Sequence, residues 1–369
     1  MWQMRRRWLA LAMGAVVVVA GCGSGGASGG ESGGSANGSS STVPASADTS
    51  GESASGTSAA GGADGGGETL KVSLRLDWLW GAEHTPYVLA KSLGYFADAG
   101  LDVQIDEGHG SNVTSTLVTT GKADFGIVSA GQVIVARGQK YKLQAVMNVL
   151  QHSPSGICYD TRQMKLNSLK DLYGKTLGVV RASSAYNEWK AVESINDLDA
   201  SKIKEVDVGS SLVPAIVSGK VHVITGWSFN QCLQASVEGV PIANLSYRDF
   251  GLDSPNTTVV VNTDFEAEHP EAVRGFVGAV MKALDYIHQN PDEALTKFYE
   301  AQPKLKGEYN TKKLPMFMDL VGDDPATFGT FNEDSWKQLQ DIYVEQGVMD
   351  APVQLDGGAY TTEFLPASG

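Results

Sequence analysis

The side chains best suited to bind a small molecule are concentrated in residues 77–84. This segment contains Trp78, Trp80, Glu83 and His84. An indole ring stacks on a flat guest, while a carboxylate or an imidazole forms hydrogen bonds with ring nitrogens and amino groups. The segment therefore predicts a site for a planar, nitrogen-containing ligand. Two alternatives remain open: Trp78 packs in the core behind the loop, or His84 caps the helix that follows.

Other polar side chains follow candidate strands, where ligands of open α/β sheets bind. Ser111 precedes a predicted helix whose free N–H groups would bind an anion or a polar edge, although it is equally suited to capping that helix. Ser129 stands at the corresponding place after the next strand. The remaining candidates lie in two later loops and are Ser183, Tyr186, Asn187, Trp227 and Asn230.

Signatures of catalysis, metal binding and nucleic-acid binding are absent from the sequence. The six histidines are scattered, and there is no zinc-ligand spacing, phosphate-binding loop or nucleophile–base motif. A net charge of −14, without a basic run after the first residues, argues against a nucleic-acid partner. These observations favour a small-molecule binding protein that uses no cofactor or metal.

The elements that must position these side chains alternate between strand and helix, which predicts mostly parallel sheets flanked by helices. A first helix is predicted with Thr85 as its N-cap and Pro86 at its first position. The C-terminal third is predicted to be mostly helical, with an apolar stripe over 273–287 that faces the core. The pattern restarts after a polar break at 152–156, which predicts two lobes of similar construction. The candidate strands are residues 70–76, 102–105, 123–128, 143–149, 157–159, 176–180, 205–208, 221–225 and 242–245.

The first residues predict export. Arginines at 5–7 precede an apolar stretch that is too short to span a bilayer, and small residues stand before Cys22. This order resembles the signal of bacterial lipoproteins and predicts a signal peptide over 1–21, with lipid attached to Cys22; an ordinary signal peptide with an incidental cysteine is the alternative. Residues 22–68 are rich in Gly and Ser and predict a flexible tether. Lipid alone would thus hold the protein on the outer face of a bacterial cell membrane.

Cys158 and Cys232 are the two other cysteines of the chain. Outside the cytoplasm such a pair oxidises if its sulfurs meet, but the sequence does not give their separation in space. A disulfide and two buried free thiols therefore both remain open.

Several short motifs of the folded part resemble one known family. They are Leu-Asp-Trp at 76–78, Gly-Tyr-Phe at 94–96, Gly-Leu-Asp-Val at 100–103, Gly-Lys-Ala-Asp-Phe-Gly at 121–126, Asp-Phe-Gly at 249–251 and Thr-Glu-Phe-Leu-Pro at 362–366. The combination resembles the solute-binding proteins that include receptors for thiamine pyrimidine precursors, aliphatic sulfonates, taurine and nitrate. The resemblance implies an α/β, two-lobed periplasmic-binding-protein-like (type II) fold, with lobe one formed by 69–152 and 257–369 and lobe two by 153–256.

The resemblance also implies a monomeric solute-binding protein that delivers a small ligand to the permease and ATPase of an ABC importer. Gly226 and Asn230 match the pyrimidine-precursor branch, but Gln231 and Cys232 stand where that branch has an aromatic residue and a glutamate. The ligand therefore stays open between a nitrogen heterocycle, favoured by the aromatic loops, and a sulfonate-like anion, favoured by Arg181. A ligand sensor without import is a third alternative. An enzyme similar to the yeast pyrimidine synthases is a fourth, although those synthases carry a cysteine cluster that this sequence lacks.

Overall fold

The computed structural model describes residues 69–181 and 183–366. The predicted signal peptide 1–21, Cys22 and the predicted tether 22–68 lie outside the described residues. Within those described ranges, no helix combines the length and the apolar character needed to cross a bilayer.

Ten strands occur in the described part of the chain, and each of the nine predicted strands overlaps one of them. The additional strand, β10 (Thr257–Asn262), is buried throughout. An unbroken run of β-branched residues is typical of a strand that is covered on both faces. The other strands are β1 (Leu70–Arg75), β2 (Leu101–Asp106), β3 (Phe125–Ser129), β4 (Leu143–Asn148), β5 (Ser155–Asp160), β6 (Thr176–Val179), β7 (Lys204–Asp207), β8 (Val223–Trp227) and β9 (Ile242–Ser246).

The ten described strands form two sheets, ordered β2-β1-β3-β10-β4 and β7-β6-β8-β5-β9. In the first sheet β10 runs antiparallel to β3 and β4, and in the second sheet β5 runs antiparallel to β8 and β9. The other pairings are parallel. Each reversed strand is the first one after the chain has crossed from the other sheet. The part of the molecule around each sheet is called a lobe below.

The chain crosses between the sheets twice. It passes from β4 to β5 through residues 149–154 and from β9 to β10 through residues 247–256. His152 Nδ1 and Asp253 Oδ1, one on each crossing segment, are 2.8 Å apart. The two sheets are therefore joined by segments that also contact each other.

Twelve α-helices cover the sheets in the described ranges. Pro86 is the second residue of α1 (Thr85–Ser92), one position later than predicted, and the N-cap residue is His84 instead of Thr85. A 3-10 helix, Ala82–His84, runs directly into α1, so the Thr85 hydroxyl donates instead to the Ala82 carbonyl at 2.7 Å. The other helices are α2 (Tyr95–Asp98), α3 (Ser111–Thr119), α4 (Ala130–Gly138), α5 (Ser184–Ile195), α6 (Leu212–Val217), α7 (Leu233–Val237), α8 (Thr263–Glu268), α9 (Pro270–Gln289), α10 (Pro291–Ala301), α11 (Glu308–Val321) and α12 (Glu333–Glu345).

Aromatic side chains stack in the core of the first lobe. The rings of Phe125 on β3 and Phe276 on α9 are parallel, with centroids 4.0 Å apart. Phe276 belongs to the apolar stripe over 273–287, whose predicted core positions are all fully buried. A second apolar cluster contains Trp189 of α5 and Trp336 of α12, and it includes residues of both sheets. The two lobes therefore share part of their core.

Cys158 and Cys232 form a disulfide, which decides between the two open alternatives. Cys158 lies on β5, Cys232 ends a π-helical turn, Ser228–Cys232, and their Cα atoms are 5.5 Å apart. This distance is within the ordinary range for bridged cysteines. The bond therefore ties the turn that follows β8 to strand β5.

Candidate functional site

A small cavity lies between the two lobes. Its volume is about 10 Å³, which is room for about one water molecule. A larger ligand therefore enters only if the surrounding elements move apart. The lining comes from residues 77–87, from β3 and β10, from the end of β8 with its following turn, and from α11. The lining residues are Asp77, Glu83, His84, Tyr87, Ile127, Trp227, Phe229, Thr257 and Phe317.

His84 is held by hydrogen bonds at both ring nitrogens. Its Nδ1 accepts the Gly81 N–H at 3.3 Å, so its Nε2 carries the proton and donates to Asp77 Oδ1 at 2.9 Å. All three residues are buried. The ring thus fastens the 3-10 turn to the segment after β1, and both of its nitrogens are already used.

Glu83 forms a buried ion pair with Lys313 of α11. Lys313 Nζ lies 2.6 Å from Glu83 Oε1, and only 2% of Lys313 and 6% of Glu83 are exposed. Burial lowers the pKa of Lys313, but the attraction of Glu83 outweighs it and holds that pKa above the usual value. The ammonium also lies over the rings of Tyr309 and Phe229, at 4.9 and 5.8 Å from their centroids. Lys313 is therefore a charged residue inside the molecule.

Two polar atoms of the cavity lining lack a partner. Glu83 Oε2 and the Tyr87 hydroxyl are buried and have no hydrogen-bond partner among residues 69–181 and 183–366. Burial, together with the charge of Asp77, raises the pKa of Tyr87 well above its usual value, so the hydroxyl keeps its proton. A buried polar atom left unpaired costs about 1–3 kcal/mol. The wall therefore offers one oxygen that accepts and one hydroxyl that donates.

The second lobe contributes aromatic rings to the same cavity. Trp227 ends β8, and its ring packs edge-on against Phe229 with centroids 5.6 Å apart. Phe229 in turn meets the ring of Phe317 on α11 at 6.0 Å. Asn230 accepts a hydrogen bond of 2.7 Å from the Tyr309 hydroxyl. The structure thus brings Trp227 to the cavity and engages Asn230 in a contact with α11.

Helix α11 contacts both lobes at the cavity. On the first-lobe side, Lys313 pairs with Glu83, and Asn310 Oδ1 accepts the Ala82 N–H at 2.9 Å. On the second-lobe side, the helix contacts the π-helical turn through Tyr309 and Phe317. One short helix therefore holds the two sides of the cleft together.

Lys313, which pairs with Glu83, was not among the predicted site residues, and neither were the lining residues Tyr87, Ile127, Thr257 and Phe317. Lys312, the neighbour of Lys313, is exposed and pairs with Glu308 at 2.7 Å, so the sequence contains two adjacent lysines with opposite environments. A helical period places Tyr309, Lys313 and Phe317 on one face, at intervals of four residues. A lysine on an aromatic face of a helix was the available signal, because such a face is normally buried.

Trp78 and Trp80 are not among the lining residues of the described cavity. Trp78 is 41% exposed, so the alternative of a ring packed in the core is wrong. Trp80 is half-buried, its ring meets the His84 ring edge-on at 6.0 Å, and its backbone N–H donates to Glu107 Oε1 at 2.9 Å. Trp80 therefore contacts the lining residue His84 without lining the cavity itself, whereas Trp78 faces solvent.

Ser111 and Ser129 contact each other at the ends of two helices. Ser111 is the first residue of α3, whose N-cap is Gly110, and its Oγ accepts the Ser129 N–H at 3.1 Å. The N-cap interpretation of Ser111 is therefore wrong by one position. Ser129 is the N-cap residue of α4 and pairs across the sheet with the cavity residue Thr257. The two serines lie next to the lining without belonging to it.

The loop after β6 is engaged within the second lobe. Ser183 Oγ accepts the Tyr186 N–H at 3.2 Å and so caps α5. The Tyr186 hydroxyl donates to Glu205 Oε2 at 2.9 Å and accepts from Arg181 at 2.6 Å. Asn187 is half-buried on the same helix. The three predicted residues Ser183, Tyr186 and Asn187 are not among those that line the described cavity.

A larger depression of about 290 Å³ lies at the surface between the end of α1 and helix α10. Among its lining residues none is aromatic, and Lys297 already pairs with Glu293 at 3.5 Å. The cavity between the lobes is therefore the better candidate site. The residues of the depression are Ser92, Leu93, Lys297, Glu300 and Ala301.

Two α/β lobes, joined by two crossings and enclosing a cavity, define the fold class of the periplasmic binding proteins. The solved structure of the alkanesulfonate-binding protein SsuA from Xanthomonas axonopodis pv. citri, bound to MOPS, has this fold. It superposes with a TM-score of 0.63 at 15% sequence identity, covering 80% of this chain and 99% of that chain. The predicted two-lobed fold is therefore confirmed.

The profile of the family described as NMT1/THI5 like matches residues 81–294, more than half of the chain. The chain belongs to the NMT1/THI5-like family. The matched range begins at Gly81, under the Glu83–Lys313 pair, and includes both crossing segments. The family resemblance drawn from the short motifs is thus confirmed.

Relatives of this chain have several names. The riboflavin-binding protein RibY of Chloroflexus aurantiacus is 26% identical over 310 residues, which are 80% of this chain and 86% of that protein. The formylaminopyrimidine-binding protein of Halalkalibacterium halodurans is 26% identical over 274 residues, 73% of this chain and 83% of that protein. A 4-amino-5-hydroxymethyl-2-methylpyrimidine phosphate synthase of Candida albicans is 25% identical over 264 residues, 66% of this chain and 75% of that protein.

Proposed function

We propose that the protein is an extracytoplasmic solute-binding protein that captures a planar nitrogen heterocycle between its lobes and delivers it to an ABC importer. The observation that carries the proposal is the lack of a partner, within the described residues, for buried Glu83 Oε2 and the Tyr87 hydroxyl. Both residues line a cavity whose lining also includes the rings of Trp227 and Phe229. A heterocycle with an N–H or amino group satisfies the carboxylate oxygen, while its faces contact aromatic side chains.

The names of two relatives support the same ligand class. Riboflavin and formylaminopyrimidine, the compounds in those names, are both nitrogen heterocycles with hydrogen-bond donors at the ring edge. A site that contacts the donors of such an edge discriminates strongly against ligands without them, because its own polar groups would stay unpaired. The heterocycle is therefore the ligand class we favour.

A sulfonate-like anion fits this cavity less well. Its lining has the carboxylates of Asp77 and Glu83, against the neighbouring ammonium of Lys313. Arg181, which with Ser111 suggested an anion, lies 3.5 Å from the Glu205 carboxylate and is half-exposed outside the cavity. The charges near the cavity thus favour a ligand without a full negative charge.

Binding, rather than synthesis, is also supported by the side chains near the cavity. Cys158 and Cys232 are joined to each other, and both nitrogens of His84 are hydrogen-bonded. A cysteine nucleophile needs a free thiolate, and a histidine base needs a free ring nitrogen. These groups are committed to structure, so we assign them no catalytic role.

The remaining parts of the proposal concern the whole chain. We infer a signal peptide over 1–21, lipid at Cys22, a tether over 22–68 and a monomer on the outer face of the membrane. The two lobes would comprise 69–152 with 257–369, and 153–256. A permease and an ATPase would be the protein partners.

The test is a titration of the mature protein by calorimetry and tryptophan fluorescence, with riboflavin, 4-amino-5-hydroxymethyl-2-methylpyrimidine, taurine and hexanesulfonate. We expect a heterocycle to bind, and Trp227→Ala to weaken that binding by about 1–3 kcal/mol, or roughly ten- to a hundredfold. Trp78→Ala, which removes an exposed ring outside the lining, is the control and should bind as the wild type does. Binding of a sulfonate but of neither heterocycle would contradict the proposal.

A further inference from the structure

We propose that the Glu83–Lys313 pair sets the charge specificity of the cleft, so that a neutral ligand with an N–H donor is preferred over both cations and anions. This inference rests on the proposed function. Lys313 pairs with Oε1 of Glu83, while Oε2 of this cavity-lining residue has no hydrogen-bond partner among the described residues. The pair thereby presents one acceptor atom without presenting a net charge.

The position of Lys313 indicates a role beyond the stability of α11. An ion pair taken out of water gains little stability, because desolvation offsets the attraction between its charges. Lys312, one residue away, makes an exposed pair with Glu308 on the same helix, as most helix lysines do. Glu83 of this buried pair lines the cavity, so a role toward a ligand explains the pair more readily than a gain in the free energy of folding does.

The pair is also held in place by its neighbours Gly81, Tyr309 and Phe229. A Cβ on Gly81 would collide with Glu83 Oε2 and would lie 2.7 Å from Lys313 Nζ, so the pair rests directly on the glycine backbone. The rings of Tyr309 and Phe229 cover the ammonium from the other side. A charge held this rigidly presents the same face to every ligand, which is a requirement for selectivity.

Removal of one partner leaves the other as an uncompensated buried charge. Lys313→Met leaves the Glu83 carboxylate, which a cationic ligand then neutralises. Glu83→Gln leaves the Lys313 ammonium, which an anionic ligand neutralises. The two substitutions should therefore move the preference of the cleft in opposite directions, whereas damage to a structural contact would weaken all ligands alike.

The experiment uses the full mature chain and three pyrimidines that share one 4-amino-2-methylpyrimidine ring. Their 5-substituents are hydroxymethyl, aminomethyl and sulfomethyl, which are neutral, cationic and anionic at pH 7. We expect the wild type to prefer the neutral probe. Lys313→Met should raise the affinity for the cationic probe, relative to the affinity for the neutral probe, by about tenfold or more. Glu83→Gln should raise the relative affinity for the anionic probe by a similar factor.

Two further variants make the outcome decisive. The double variant Glu83→Gln/Lys313→Met has no uncompensated charge and should fold and prefer the neutral probe again, even if a single variant is unstable. Lys312→Met removes the matched exposed lysine and should leave all three affinities unchanged. Equal weakening of the three probes in both single variants, or no change in either, would overturn the charge-specificity proposal while leaving the proposed function intact. Failure of the wild type to bind any of the three, with riboflavin also unbound, would contradict the proposed function itself.

Discussion

Glu188 of α5 is buried where the two crossing segments meet. Its carboxylate accepts a hydrogen bond of 2.6 Å from the Ser153 hydroxyl and one of 3.2 Å from the Asn256 amide. Burial raises the pKa of Glu188 to about 7, although these hydrogen bonds oppose the shift. Its charge also helps to raise the pKa of Tyr247 and of Tyr343, which are buried nearby. The junction between the lobes therefore contains an acid that titrates near neutral pH.

Stability should depend on pH through Glu188. The folded chain binds this proton up to about pH 7, whereas the unfolded chain releases it near the ordinary value of 4.5. The contribution to the free energy of unfolding is therefore fully present below pH 4.5 and is lost as the pH rises to 7, a change on the order of 3 kcal/mol. Glu188→Gln should remove this dependence and be more stable than the wild type at pH 8. Thermal unfolding at pH 5 and pH 8 measures the difference.

Glu308→Gln, which changes an exposed glutamate, is the matched control for this prediction. Its stability should depend on pH as that of the wild type does. If the unfolding temperature of Glu188→Gln changes between pH 5 and pH 8 as much as that of the wild type, Glu188 is not the source of the pH dependence.

Some individual site residues could be predicted from the sequence, and others could not, for a physical reason. Glu83 was singled out because it stands in a short segment with two tryptophans and a histidine. Lys313 was not, because its environment depends on a partner 230 residues away in the chain. His84 was identified, but its hydrogen bonds to Gly81 and Asp77 depend on how the 3-10 turn folds, which no local pattern indicates.

Among the elements, α11 determines how firmly the two sides of the cleft are held together. Its first turns contact the 3-10 turn of the first lobe through Asn310 and Lys313, and the π-helical turn of the second lobe through Tyr309. An opening of the cavity that separates α11 from the second lobe would break the contact between Tyr309 and Asn230. The strength of this contact therefore affects the rate of opening.

Tyr309→Phe should loosen this attachment. The substitution removes the hydroxyl that donates to Asn230, a hydrogen bond of about 1 kcal/mol, and keeps the ring beside Lys313. Hydrogen exchange of the backbone amides of Ser228–Cys232 should become several times faster, because the turn opens more often. Tyr299→Phe is the control: its hydroxyl bonds to Gly307 and Thr311, so exchange in the turn should not change. Equal exchange in wild type and Tyr309→Phe would contradict a holding role.

The nine predicted strands were recoverable from the sequence because each is a short apolar run bounded by polar or glycine-containing loops. The antiparallel direction of β5 and β10 could not be predicted from the sequence. Strand–helix alternation predicts parallel neighbours, and a strand that arrives from the other lobe has the same local pattern as one that arrives from its own. The contact of α11 with the second lobe could not be predicted either. An amphipathic face indicates that a helix is buried on that side, but it does not indicate which element packs there.

The whole protein is proposed to stay at the membrane through Cys22. Cys22→Ala removes the sulfur that would carry the lipid, so in the native host the protein should leave the membrane fraction and appear as a soluble, secreted form. Fractionation followed by immunoblotting measures this. Cys158→Ala removes a cysteine without changing the signal and should leave the protein in the membrane fraction. A Cys22→Ala protein that remains membrane-bound would contradict lipid anchoring.

During synthesis, which proceeds from the N-terminus, the second sheet is completed before the first. Its five strands end at Ser246, whereas the first sheet waits for β10, which lies between β3 and β4. Until β10 has been synthesised, β3 and β4 each have one edge without a hydrogen-bonded neighbour, because β10 lies between them in the sheet. Open strand edges pair readily with other chains. The interval in which this chain is most prone to aggregate therefore runs from the emergence of β4 to that of β10, and the whole second lobe is made within it.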